Sequence, residues 1–177
     1  MRAFIAIEIS EELKGRVEKI KEEIEGEGIK VVEKEKLHLT LHFLGEIDER
    51  KKEEVIEAMN KIRIKKFELN CKGVGAFPSL NYMRVVWIGV EADELRELHT
   101  RLGGELKKIG LKVEEYSPHI TIARVKFIKE KEKLMNFLKN YRDEEFGRCL
   151  IRGVILKKST LTPQGPVYEN VHEVMLS

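Results

Sequence analysis

A short device that is polar on one side and apolar on the other occurs twice in this chain, as His38-Leu39-Thr40-Leu41 and again as His119-Ile120-Thr121-Ile122. Side chains alternate across an extended strand, so His38 and Thr40 fall on one face while Leu39 and Leu41 fall on the other. His119 and Thr121 oppose Ile120 and Ile122 in the same way. Such a strand rests on a core by one face and opens to water or ligand by the other. Two of them constrain the chain to two related half-buried sheets, with two imidazoles and two hydroxyls turned toward one cleft.

The rest of the chain reads as a strand-and-helix cadence around these two elements. Residues 2 to 9 form an apolar strand, followed by a helix capped by Ser10 with Leu13, Val17, Ile20 and Ile24 at helical spacing, which Gly26 or Gly28 should stop. A short strand over 29–32 and a stronger one over 37–44 come next, then a helix capped by Asp48. Strands over 66–74 and 83–90 flank a turn at Phe77-Pro78-Ser79-Leu80-Asn81, and Leu95, Leu98, Leu102, Leu106 and Ile109 mark a long helix. Residues 119–127, 148–157 and 167–176 read as strands and 130–140 as a helix. This order implies an α+β fold, in which helices cover the outer faces of small sheets.

Composition bounds the chemistry. Hydrophobic residues make up 42% and charged residues 36% of 177 residues, enough for one substantial core and too little chain for two large domains. Thirty-three Lys and Arg against 31 Asp and Glu leave a net charge of +2, so gross electrostatics does not identify nucleic acid as a partner. Cys71 and Cys149 are too few for a disulfide scaffold and read as buried thiols. The opening apolar run is too short to span a membrane and lacks the form of a secretion signal, so the expected location is cytoplasmic. Neither a Gly-x-Gly-x-x-Gly turn nor a Gly-Lys-Ser/Thr phosphate loop is present, which removes the usual sequence support for NAD or ATP.

Histidine, with an ordinary pKa of about 6.5, suits both removal of a proton from an attacking oxygen and delivery of one to a leaving oxygen. A threonine hydroxyl can donate to a nonbridging phosphate oxygen. Paired His-x-Thr elements therefore point to acid–base chemistry on a phosphodiester. His42 shares strand parity with His38 and Thr40 and is placed on the cleft face. A metal centre of His38, His42 and His119 lacks a complete zinc signature, and no metal is expected. Arg124 has the parity opposite to His119, so its guanidinium reaches a phosphate only around the strand edge. Phe77, Tyr82 and Trp87 read as core aromatics before base-stacking ones, and His99 and His172 as structural.

The motifs with their flanks, His38-Leu39-Thr40-Leu41-His42-Phe43-Leu44-Gly45 and Ser117-Pro118-His119-Ile120-Thr121-Ile122-Ala123-Arg124, resemble the two-histidine phosphoesterase superfamily, specifically the RNA 2',3'-cyclic phosphodiesterases also called 2'-5' RNA ligases. The opening Arg2-Ala3-Phe4-Ile5-Ala6-Ile7 is similar too, and the likeness runs over nearly the whole chain. The resemblance implies one domain over 1–177, built as two pseudo-symmetric lobes, each a small mainly antiparallel sheet with outer helices, flanking a central groove. It implies hydrolysis of an RNA terminal 2',3'-cyclic phosphate to a 2'-phosphate, with reversible 2'-5' joining in some members. His119 would be the general base, His38 the general acid, and Thr40 and Thr121 the phosphate clasp, with Phe43 and Arg124 as flanking substrate contacts. The implied enzyme is a cytoplasmic monomer without cofactor, its partner an RNA bearing a 2',3'-cyclic phosphate, tRNA fragments among the candidates. Two other readings fit the residues: an RNA-end binding protein without turnover, and a cyclic phosphodiesterase acting on a small nucleotide or an ADP-ribose cyclic phosphate.

Overall fold

The two motif strands are neighbours in space. The computed structural model describes residues 1–177. It contains β1 (Arg2–Glu8), α1 (Glu11–Lys21), β2 (Ile29–Val31), β3 (His38–Glu46), α2 (Glu49–Asn60), β4 (Phe67–Ser79), β5 (Tyr82–Glu91), α3 (Asp93–Lys108), β6 (His119–Val125), α4 (Lys131–Tyr141), β7 (Glu145–Ile151), β8 (Gly153–Thr162) and β9 (Gly165–Met175). The strands run in the order β7-β4-β5-β6-β3-β1-β8-β9, with β2 added on β6, and every pairing is antiparallel. Where β3 meets β6 the ladder consists of one residue pair, Leu39 opposite Ile120. These are the middle residues of the two His-x-Thr elements.

A pseudo-twofold axis through that pair relates β3 to β6, β1 to β5, β8 to β4 and β9 to β7. One lobe is β3-β1-β8-β9, the other β6-β5-β4-β7 with β2. Helices α2 and α3 associate with the first lobe, α1 and α4 with the second. The lobes are therefore not the two halves of the sequence. Strand β1 lies in the first lobe while the helix that follows it packs on the second, and β5 and α3 exchange in the opposite sense. Strand β4 pairs with β5 of the second half, and β8 returns to pair with β1.

Local chemistry sets the helices as the spacing implies. The Ser10 hydroxyl accepts the Leu13 N–H at 3.2 Å to start α1, and the Asp48 carboxylate accepts the Lys51 N–H at 2.7 Å to start α2, each satisfying a donor that has no intrahelical partner. Along α3, Leu95, Leu98, Leu102 and Leu106 are each 0% exposed. Full burial of such a side chain contributes about 1.5–3 kcal/mol, which is why this face anchors the helix. Helix α1 ends at Lys21, before the glycines expected to stop it, although Ile24 stays buried. Gly28 instead permits a close backbone approach, since its φ is +84° and a Cβ there would sit 2.2 Å from the Phe127 carbonyl oxygen.

One expected strand is in fact two. Residues 148–157 are divided at Arg152 between β7, on the outer edge of the second lobe, and β8, inside the first. Both segments are apolar on their core faces, so the pattern runs on through the crossover. The β8–β9 hairpin then reaches back over the groove, where the Lys30 ammonium of β2 donates to the Gln164 carbonyl at 3.0 Å.

Candidate active site

The site owes its composition to two β-bulges at equivalent places. On β3, Thr40 faces Ala6 and His42 faces Ile5, leaving Leu41 as an extra residue; on β6, Thr121 faces Trp87 and Ala123 faces Val86, leaving Ile122 extra. An extra residue reverses the face of everything beyond it. Leu41 and His42 are accordingly both buried and Phe43 exposed, just as Ile122 and Ala123 are both buried and Arg124 exposed.

This corrects two expectations drawn from strict alternation. His42 leaves the His38–Thr40 face and enters the core, outside the groove. Arg124 needs no detour around a strand edge, because the bulge turns it to the side of His119 and Thr121. Phe43 and Arg124 occupy pseudo-equivalent positions, an apolar ring in one lobe and a cation in the other.

Both motif imidazoles are held in one tautomer. His38 Nδ1 lies 2.7 Å from the Lys36 carbonyl and His119 Nδ1 lies 2.7 Å from the Ser117 carbonyl. A carbonyl only accepts, so Nδ1 carries the hydrogen and Nε2 of each neutral ring keeps its lone pair. The Thr40 hydroxyl is 3.0 Å from His38 Nε2. Aromatic rings fix both: Phe4 lies 5.1 Å and Tyr168 5.4 Å from the His38 ring centroid, and Phe77 meets His119 edge-on at 4.9 Å. Burial is the main cause holding both pKa values below 6.5, and the nearby Arg124 charge acts in the same direction, against the carbonyl hydrogen bonds that raise them. Lys157 lowers His38 further, partly countered by Glu8.

His38, Thr40, His119, Thr121, Phe43 and Arg124 line one groove of about 860 Å³. Sequence reasoning missed Phe4, Lys30, Lys36 and Tyr168, which complete its walls. Phe4 is hidden within an apolar strand, and its partnership with Phe43 depends on the β1–β3 register. Tyr168 comes from the far edge strand and has no local motif.

His42 serves the fold behind the groove. It is buried, donates from Nε2 to the His99 carbonyl at 3.0 Å and stacks on the His99 ring at 4.1 Å. The trio His38, His42 and His119 is thus not assembled, and no group of three or more His, Cys, Asp or Glu side chains forms a ligand cluster. Burial, then the His99 ring, lowers the His42 pKa to about 4. The unfolded chain binds a proton near pH 6.5 that the folded one refuses, so the stability contributed by neutral His42 is intact above that pH and is lost as pH falls toward 4. Urea unfolding at pH 7 and pH 4.5 should show wild type losing about 2 kcal/mol more than His42→Phe between the two conditions; equal losses would remove this role.

Two lobes exchanging strands and meeting at duplicated His-x-Thr pairs define a two-histidine phosphoesterase. The family model described as LigT like Phosphoesterase matches the chain twice, over residues 7–87 and 88–168, and the chain belongs to this family. A relative from Methanocaldococcus jannaschii is 44% identical over 174 residues, covering 98% of this chain and 99% of the relative. Another, from Thermotoga maritima, is 40% identical over 182 aligned residues, covering 98% and 94%. Both are named RNA 2',3'-cyclic phosphodiesterase. Among solved structures, the Thermus thermophilus protein TT0787 superposes with a TM-score of 0.87 at 26% identity, covering 99% of this chain and 98% of that one. The E. coli LigT structure with 3'-AMP shares the fold, with a TM-score of 0.82 at 22% identity over 99% of this chain and 98% of that one. No helix is long and apolar enough to cross a membrane.

Proposed function

We propose that the protein opens the terminal 2',3'-cyclic phosphate of RNA to a 2'-phosphate by paired imidazole acid–base catalysis, without a metal. The observation that carries this reading is the pair of His-x-Thr elements astride the Leu39–Ile120 contact, each with Nδ1 tied to its own chain and Nε2 free of the backbone, that of His38 meeting the Thr40 hydroxyl of its own motif. The names of the near full-length relatives supply the substrate class.

In this reading His119 Nε2 takes a proton from water as the water oxygen bonds to phosphorus, and His38 Nε2–H gives a proton to the 3' oxygen as the P–O3' bond breaks. The base and acid roles follow the motif match to the family. Thr40 and Thr121 donate hydrogen bonds to the nonbridging oxygens, and Arg124 balances the charge there. Burial keeps both free imidazoles neutral near pH 7, while a bound phosphate anion favours the protonated form and makes an acid available. Phe4, Phe43 and Tyr168 offer apolar surface to a terminal base. The same geometry run with a 5'-hydroxyl in place of water yields a 2'-5' linkage, but bulk water favours hydrolysis. Because each lobe takes strands from both sequence halves, the whole chain acts as a single two-lobed unit.

A defined RNA ending in 2',3'-cyclic phosphate tests the reading directly. The expected product is a 2'-phosphate with a free 3'-hydroxyl, formed after exhaustive chelation as readily as before. A 3'-phosphate product would show that the P–O2' bond breaks and would reject the proposed bond choice. Unchanged substrate bound to the protein would identify an RNA-end binder.

A further inference from the structure

Arg124 of β6 is directly opposed by Lys30 of β2, and residues so opposed in an antiparallel ladder turn to the same face with Cβ atoms about 5 Å apart. Both side chains line the groove. Like charges in that relation repel, and neither cation is ion-paired with a carboxylate. The acidic residues of the groove are placed elsewhere. Glu33 pairs with Lys36 at 3.6 Å, Glu46 lies 3.4 Å from the Met1 ammonium, and Glu114 also borders a second hollow beside His119, which neither Lys30 nor Arg124 lines. Lys30 spends one of its three N–H donors on the Gln164 carbonyl, which tethers its head under the β8–β9 hairpin and leaves two donors for a ligand. Strand β2 has no counterpart in the first lobe. There the position equivalent to Arg124 is Phe43, whose ring centroid is 6.5 Å from that of Phe4. The groove thus has one aromatic wall and one cationic wall.

We infer that Lys30 reads the internucleotide phosphate immediately 5' to the terminal nucleoside, so that the site prefers an RNA chain of two or more nucleotides over a mononucleotide 2',3'-cyclic phosphate. The inference rests on the proposed opening of the cyclic phosphate between His38 and His119. In that reading Arg124 balances the reacting phosphate, and the terminal base lies on Phe4, Phe43 and Tyr168. The chain leaves the terminal ribose through its 5' oxygen and carries its next negative charge there. A lysine rooted beside Arg124, with donors to spare and no carboxylate of its own, is the cation placed to meet that charge. A mononucleotide brings one anion to two cations, whereas a chain brings two and relieves the repulsion that the ladder sets up between them. The other cations of the groove are less suited. Lys36 already faces Glu33, and Arg2 stands on β1 in the other lobe, opposite Glu46 and Ser159.

The probes are two adenosine dinucleotides that end in a 2',3'-cyclic phosphate, one joined by the natural phosphodiester and one by a methylphosphonate, which keeps the shape of the linkage and removes its charge. Wild-type kcat/KM should be about tenfold higher for the diester than for either methylphosphonate diastereomer, the size of one charge-assisted contact. Adenosine 2',3'-cyclic phosphate, which lacks the linkage, should fall at least as far below the diester. Lys30→Met should bring the ratio of diester to methylphosphonate close to one, and Lys30→Arg should keep most of it. Because the readout is a ratio between substrates, a general loss of activity in a variant does not imitate the result. A ratio near one in wild type, or one that survives Lys30→Met, would overturn the assignment with hydrolysis intact. If neither dinucleotide is opened, the catalytic reading fails, and calorimetric binding of the two uncleaved dinucleotides still decides the subsite. Tighter binding of the diester that depends on Lys30 would uphold it, and equal affinities would overturn it.

Discussion

His119→Ala is expected to lower kcat on an RNA 2',3'-cyclic phosphate by about 10³-fold, and His38→Ala by a similar factor, with the fold of both variants unchanged. Both rings are partly exposed at the groove, and their hydrogen bonds are local, Nδ1 of each to a carbonyl two residues upstream and Nε2 of His38 to the Thr40 hydroxyl. Their removal should therefore leave the core intact. The two losses differ in kind. If His38 protonates the departing oxygen, a diester with a good leaving group, such as a p-nitrophenyl ester, needs no proton there and should recover most of the rate in His38→Ala. The same substrate should not rescue His119→Ala, because its water still requires a base.

The pH profile separates them again. Both free imidazoles titrate below 6.5, so wild-type kcat/KM should describe a bell centred on the acid side of that value. Loss of the base removes the rising limb and loss of the acid removes the falling one. Rescue of His119→Ala in place of His38→Ala would exchange the roles, and wild-type rates in either variant would end the mechanism.

The features legible in the sequence are those set within a few residues. The His-to-Thr offset fixes both side chains on one face as long as the strand stays regular between them, and it does from His38 to Thr40 and from His119 to Thr121. The Ser10 and Asp48 caps and the leucine face of α3 are equally local. The bulges at Leu41 and Ile122 are set by how β1 and β5 lie against the motif strands, so neither His42 nor Arg124 shows its true face in its own neighbours. The break at Arg152 is hidden for a related reason: β7 and β8 bury apolar residues in different lobes, and an unbroken apolar pattern cannot report a change of partner. Tyr168 reaches the groove only because β9 pairs with β8, which pairs with β1. That chain of contacts has no signature at position 168.

Cutting the chain in the exposed turn between Leu80 and Asn81 should give two fragments, 1–80 and 81–177, neither of which folds cooperatively alone. In the first, β1 lacks β8, β4 lacks both β5 and β7, and α1 has lost β6 and β7, the strands on which it packs. In the second, β8 retains only β9, while α3 keeps its leucine face without β3 and α2 to cover it. Chains of this size are marginal even with a complete core, and here each fragment leaves most of its apolar surface without a counterpart. Weak far-UV signals without a sharp thermal transition are expected for each fragment, and mixing them should restore a cooperative transition together with phosphodiesterase activity. A cooperative transition in isolated 81–177 would mean that the second lobe stands without β4 and α1, contrary to the exchanged packing. Restored activity is the more demanding observation, because it requires the Leu39–Ile120 contact to form between separate chains and set both imidazoles beside one phosphate. Hence His38 and His119, though encoded in opposite fragments, should become active together at the midpoint of assembly, with no activity assignable to either fragment before it.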